Sequence, residues 1–306
     1  MLINAVFEGG GVRGISLAGA VQSAEQADVV FQKLAGTSSG AIVASLLAAG
    51  YTSKEMKEII QQMPFSSFLT RSPVFNTKYI GPPLRVMLKK GLYSGEALEQ
   101  WIRRILMKKN ISKFSDLPSG KLQIIASDIT NGRILIIPDG LREYGINPDT
   151  FEIAKAIRMS TSIPYFFDPV MLRLRGTAAR GKSFSEQFIY IVDGGLLSNF
   201  PLWLFDNDKS TTTGLSIPTI GFQMVGKNEG VPRRIRGPFS MLQAMVETML
   251  SAHDERYIEQ DKSFRTIKIP TLGVTTTNFH ITKEESMSLF ASGYEAGNKF
   301  FGHWKG

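Results

Sequence analysis

A mainly parallel β-sheet covered by helices on both faces is the α/β fold class that this 306-residue sequence predicts. Three observations carry that expectation. Apolar runs of strand length recur along the chain, helical patterns separate many of them, and the first two runs each pass through a glycine-rich turn into an Ala- and Leu-containing helical stretch. A parallel crossover must bring the chain back over the sheet, and a helix is its usual carrier. With 43% hydrophobic and 20% charged residues, the chain has apolar mass for a large core. No linker-like composition or long charge run divides it, so residues 1–306 are expected to form one domain.

The first element is a short buried strand from Leu2 to Glu8, followed by Gly9-Gly10-Gly11-Val12-Arg13-Gly14 and a helix over 15–25. The second unit repeats it: an apolar run from Val29 to Ala35, the turn Gly36-Thr37-Ser38-Ser39-Gly40, and a helix from Ala41 to Ala49 stopped by Gly50. Thr52 or Ser53 caps a helix from Lys54 to Met63, and Ser94 caps an amphipathic stretch from Gly95 to Lys109. Between them lies a less regular region with Phe65, Phe68, Leu69 and Phe75 among Ser, Thr and Pro, suited to a loop-rich cap or to irregular core. Further strands are expected over 122–129, 134–137, 188–192, 219–225 and 266–269, and helices over 151–159, 240–261 and 283–301. In such a sheet, reactive groups belong at the carboxyl ends of the strands.

Composition removes several function classes. No apolar run approaches the roughly 20 residues that span a bilayer, and no basic n-region opens the chain, so a cytoplasmic protein, at most peripheral to a membrane, is expected. The chain has no cysteine, which excludes disulfides, thiolate metal sites and a thiol nucleophile. His253, His280 and His303 lack the i, i+3 or i, i+4 spacing of a metal-binding helix, so no metal is expected. A net charge of +8 favours anionic surfaces such as acidic lipid headgroups or nucleic acid, although a plain solvated basic surface is the commoner meaning of such a balance.

Gly36-Thr37-Ser38-Ser39-Gly40 fits G-x-S-x-G, with Ser38 at its centre and Ser39 off-centre. A nucleophile on a sharp strand-to-helix turn needs small neighbours and gains a helix N-terminus directed at developing negative charge. Acyl transfer also needs donors for the oxyanion, and Gly9, Gly10 and Gly11 offer backbone N–H groups without side-chain obstruction. The same segment satisfies G-x-G-x-x-G, so dinucleotide binding is a rival; it expects an acidic residue ending the second strand, where Lys33-Leu34 stands. For the base, no histidine sits at a glycine-marked strand end. Asp193 does, closing the run Phe188 to Val192 ahead of Gly194-Gly195.

Taken together in order, four blocks resemble the patatin-like phospholipase family: Gly9 to Gly14, Gly36 to Gly40, Ser160-Thr161-Ser162-Ile163-Pro164-Tyr165-Phe166-Phe167, and Asp193-Gly194-Gly195. Ala126 to Gly132 and Asn199-Phe200-Pro201 also look like the family's usual surroundings. The resemblance implies a three-layer α/β/α sandwich, a Ser38/Asp193 dyad without histidine, an oxyanion loop at Gly9, Gly10 and Gly11, and hydrolysis of acyl esters in phospholipids or related lipids. It implies no cofactor and no nucleic-acid partner. Gly14, Gly36, Gly40, Gly194 and Gly195 support the motifs, and Arg13 orients the loop or an anionic headgroup, or is simply a surface charge. A lipid entrance is sought at the Phe65 to Phe75 region and at Tyr165-Phe166-Phe167. Basic loops with Arg173, Arg175, Arg180, Lys182, Arg233, Arg234 and Arg236 would flank it, in transient contact with anionic membrane. A nucleotide-activated effector phospholipase and a non-catalytic scaffold remain alternatives.

Overall fold

Strands β1 (Leu2–Phe7), β2 (Val30–Thr37), β4 (Leu122–Asp128), β9 (Thr219–Val225) and β10 (Thr266–Pro270) run parallel in the order β10-β9-β1-β2-β4. This computed structural model describes residues 1–69, 81–206, 217–226, 265–276 and 278–304, with isolated positions between 235 and 248. Three more strands, β5 (Arg133–Ile137), β7 (Val170–Arg173) and β8 (Phe188–Asp193), complete the sheet, and all pair antiparallel. The sheet is mainly parallel, as expected, with antiparallel strands at one end that the apolar runs do not announce, because such a run does not encode its own direction.

The register on β4 positions the site. Along one edge, β2 pairs with residues Leu122 to Ile125, and β8 takes over from Ala126 to Asp128, while β5 occupies the other edge. Thr37 lies opposite Ile125 and Asp193 opposite Ala126. Since β2 runs with β4 and β8 against it, the two strands meet tail to tail, and whatever follows Thr37 must face Asp193.

Alternation sorts the side chains. Ile3, Ala5 and Phe7 of β1, with Leu122, Ile124 and Ala126 of β4 and Ile220 and Phe222 of β9, enter the main core. There they meet α1 (Ile15–Gln26), α2 (Ser39–Ala48), α6 (Ile153–Ser160) and α7 (Lys283–His303). Val6 and Ala35 point the other way, onto Phe205, Phe200 and Leu204 around the 3-10 turn Leu202–Phe205. Helical layers on the two faces make the three-layer sandwich. The helix expected over 240–261 lies largely outside the described residues.

Local signals account for the helix starts. Thr52, rather than Ser53, caps α3 (Ser53–Gln61): its hydroxyl accepts the Glu55 amide at 3.2 Å and Glu55 accepts the Thr52 amide at 2.8 Å. Ser53 instead donates to Glu25 at 2.5 Å. Thr282 and Glu285 form the same box on α7. The amphipathic stretch after Ser94 is α5 (Glu96–Met107). The irregular region after Met63 holds unanticipated order: a helix α4 (Gly81–Lys89) and a strand β3 (Gly91–Tyr93) that pairs with β6 (Tyr165–Phe167). Among the described residues no helix is long and apolar enough to cross a membrane.

Candidate active site

Ser38 leaves β2 and caps α2 with φ 52° and ψ −121°, a region costly for a side chain and typical of a strained nucleophile turn. The turn closes because Gly36 and Gly40 touch: a Cβ on Gly36 would collide with the Gly40 backbone, and one on Gly40 with the Phe7 carbonyl. Packing over-determines the strain. The Ser38 amide donates to Ser160 Oγ at 2.8 Å, and that hydroxyl donates onward to the Ile125 carbonyl at 2.5 Å, tying the turn to α6 and β4.

Ser38 Oγ donates to Asp193 Oδ2 at 2.8 Å. The other carboxylate oxygen accepts the Gly195 amide at 2.8 Å, and the Asp193 amide donates to the Ser162 carbonyl at 2.9 Å. Asp193 is 2% exposed. Burial pushes its carboxyl up to about 7, against the smaller lowering by the Gly195 amide and the Ser38 hydroxyl. A base of that strength suits proton abstraction near neutral pH. Among the described residues no histidine joins it: His280 is exposed, and His303 Nδ1 donates to the Lys299 carbonyl at 2.7 Å. His253 lies outside the described residues.

Two of the three glycine amides are held. Gly9 N–H donates to the Asn199 carbonyl at 3.1 Å, and Gly10 N–H to Ser39 Oγ at 3.0 Å. Gly11, at φ 56°, has no acceptor for its N–H among the described residues and faces the same cavity as Ser38. Arg13 wraps the loop from inside, its amide and Nε reaching the Gly10 carbonyl at 3.2 and 3.3 Å. Gly14 lies against the Ser39 side chain, and Gly194 against the Ile125 carbonyl, where a Cβ would clash.

Sequence reasoning missed much of this support. Glu8 is buried beside the loop, accepting the Met224 amide and, at 3.5 Å, Asn199 Nδ2, which also reaches the Gly9 carbonyl at 3.2 Å. The Val12 amide is held by the Thr276 carbonyl at 3.1 Å. Apart from Asn199, which stands in a block already singled out, these residue types are too common to signal a role.

An apolar cavity runs from Ser38 between α1, α2 and α3. Its walls are apolar, with Ile15, Ile42, Leu46, Met56, Phe65, Phe68, Phe167 and Phe279 among the lining residues. Phe166 stacks on Phe279 at 5.1 Å between ring centres. Of the entrance residues sought in the sequence, Phe65, Phe68 and Phe167 line this cavity, Tyr165 is exposed, and Phe75 lies outside the described residues. Arg173, Arg175, Arg180 and Lys182 are exposed, none of them lining the cavity; Arg233, Arg234 and Arg236 lie outside the described residues.

Residues 5–206 match the family described as Patatin-like phospholipase. The chain is 39% identical to the uncharacterized protein YqhO of Bacillus subtilis (strain 168), covering 99% of both chains. It is 27% identical to the probable lipid hydrolase 463L of Invertebrate iridescent virus 6 over 64% of this chain and 61% of that one. Among solved structures, VipD of Legionella pneumophila superposes with a TM-score of 0.53 at 16% identity, over 98% of this chain and 66% of its own. ExoU of Pseudomonas aeruginosa, in complex with SpcU, gives 0.51 at 16%, over 98% and 51%. The chain thus spans about two thirds and one half of those two structures, and at such identities the likeness speaks for the fold alone.

Proposed function

The chain belongs to the patatin-like phospholipase family, and from that premise we propose that it is a serine lipid acyl hydrolase acting through Ser38 and Asp193. One observation carries the reading: the 2.8 Å hydrogen bond from Ser38 Oγ to a buried carboxylate of raised basicity, at the end of an apolar cavity. The Asp193 carboxylate takes the hydroxyl proton as Ser38 Oγ attacks the acyl carbonyl. The oxyanion is received first by the Gly11 amide and the Ser39 amide at the start of α2. Gly10 joins when its amide turns from Ser39 Oγ, and Gly9, anchored by Asn199, holds the loop in place. Protonated Asp193 returns the proton to the leaving alcohol; it then draws a proton from water as the water oxygen attacks the acyl-serine, and hands that proton to Ser38 Oγ as the Oγ–acyl bond breaks and the fatty acid is released. The apolar walls hold the acyl chain, which fits esters of phospholipids or related lipids. No metal or organic cofactor enters the scheme.

The test is a lipid panel read by mass spectrometry together with fluorophosphonate labelling. Ser38→Ala is expected to abolish both, and Ser39→Ala to leave both measurable, because only Ser38 bonds the carboxylate. Labelling retained in Ser38→Ala contradicts the assignment.

A further inference from the structure

Helix α4 is built inside out. Arg85 points inward and is 3% exposed, gripping Asp168 through its two terminal guanidinium nitrogens at 2.7 and 2.8 Å. Leu84, Met87 and Leu88, at i, i+3 and i+4, form a stripe on the outer face and are 43%, 82% and 58% exposed. A soluble helix ordinarily does the reverse, and an exposed apolar stripe bounded by polar groups marks a contact surface. Lys89 and Lys90 are exposed at its C-terminal end.

The stripe continues onto the sheet edge. Lys90 Nζ lies 5.1 Å from the centre of the Tyr190 ring, and Tyr190 stands opposite Met171, which is exposed. Two residues along the same face, Arg173 stands opposite Phe188 and covers the rings of Phe184 and Phe188 at 5.3 and 5.9 Å. Exposed Phe184 sits in a segment that also exposes Arg175, Arg180 and Lys182. The acids in this region are Glu186, bonded to Ser183, Asp168, neutralised by Arg85, and Glu96 and Glu99, which face Arg158 beside Asp168. Apolar tips in a field of positive charge complement one kind of surface, a bilayer with anionic headgroups, where the apolar side chains enter the acyl boundary and the cations meet phosphates. Asp168 directly follows Phe167, a wall of the cavity at Ser38, so the helix is clamped beside the place where an acyl chain must arrive.

We propose that the outer face of α4, continued by Met171, Arg173 and Phe184, docks the protein on anionic lipid surfaces. The proposal rests on the lipid-hydrolase reading, and its test separates the two. Flotation with vesicles of phosphatidylcholine, alone or mixed with phosphatidylglycerol, is measured in the Ser38→Ala background so that no lipid is consumed. The anionic vesicles are expected to bind the parent, and Met87→Glu with Leu88→Glu to lower binding at least about tenfold. Lys89→Gln with Lys90→Gln is expected to lower it several-fold and to flatten its salt dependence. With Ser38 intact, the Met87/Leu88 pair of changes should leave hydrolysis of a monomeric short-chain ester within about twofold, which reports an intact fold. Equal vesicle binding by parent and variants overturns the docking surface. So does a parent that binds no vesicles but forms a dimer split by Met87→Glu, since the stripe would then be covered by a second copy. Stripe-dependent binding by a protein that hydrolyses no ester would leave docking standing and remove the hydrolase reading instead.

Discussion

Asp128 and Asp193 are buried carboxylates on neighbouring strands, and their surroundings drive them apart. Asp128 sits opposite Ile191 on β8, two residues before Asp193. Burial pushes both up. At Asp128 that push is outweighed: the Asn131 side chain at 2.6 Å, the Tyr144 hydroxyl at 2.7 Å and the Thr130 and Asn131 amides at 3.0 Å hold it below the usual carboxylate value. Among the described residues Asp193 has the Gly195 amide and the Ser38 hydroxyl as its donors, and it stays near 7. Fewer donors and deeper burial together separate the base from the structural anion. A carboxylate saturated with donors is stable and inert, while one left partly unsatisfied keeps its appetite for a proton.

The largest expected effect on stability is therefore at the site that does no chemistry. Asp128→Asn turns one acceptor into a donor facing donors, and it should cost about 3 kcal/mol in urea unfolding. Activity per folded molecule should stay within about tenfold of normal. An unchanged unfolding midpoint would break the contrast.

Asp193→Asn should behave oppositely. Because the folded carboxyl titrates near 7 and the unfolded one near 3.8, the folded chain holds a proton that the unfolded chain has shed between those values. Stability conferred on the wild type thus falls as pH rises across that window. The amide escapes this penalty, so the stability of Asp193→Asn relative to wild type should improve by about 2 kcal/mol between pH 5 and pH 8. A difference independent of pH would place the Asp193 carboxyl at an ordinary value. In the wild type, kcat/KM on a soluble ester should rise about tenfold per pH unit below 7 and level off above it. Asp128, held low, adds no step in that range.

The two βα units and the two dyad residues are legible in the sequence, and the contrast with Asp128 is hidden for physical reasons. The two βα units were readable because glycine clusters punctuate apolar runs, and Ser38 and Asp193 were named from those clusters; the structure brings their oxygens to 2.8 Å. The means of their meeting was not readable, since nothing in Phe188 to Val192 reveals that β8 runs against β4 and abuts β2. Strands β6 and β7 are three and four residues long, below the length at which alternation can be seen. Helix α4 escaped because it opens on Gly81-Pro82-Pro83 and turns its apolar side outward, so no stripe points to a core partner. The donors that divide Asp128 from Asp193 come from turn backbone and from Tyr144, whose approach depends on the fold.

The central claim is that a lone carboxylate, without histidine, is the base. It is tested most directly by hydrolysis of a soluble short-chain ester by Asp193→Asn and by a variant with His253, His280 and His303 all replaced by Gln, each normalised to folded protein. Asp193→Asn keeps the volume but loses the proton acceptor, and activity should fall at least about a hundredfold. The histidine variant should stay within about tenfold of wild type, equivalent to about 1.4 kcal/mol. Collapse of the histidine variant while Asp193→Asn retains most of its activity would contradict the dyad and put a Ser-His pair in its place.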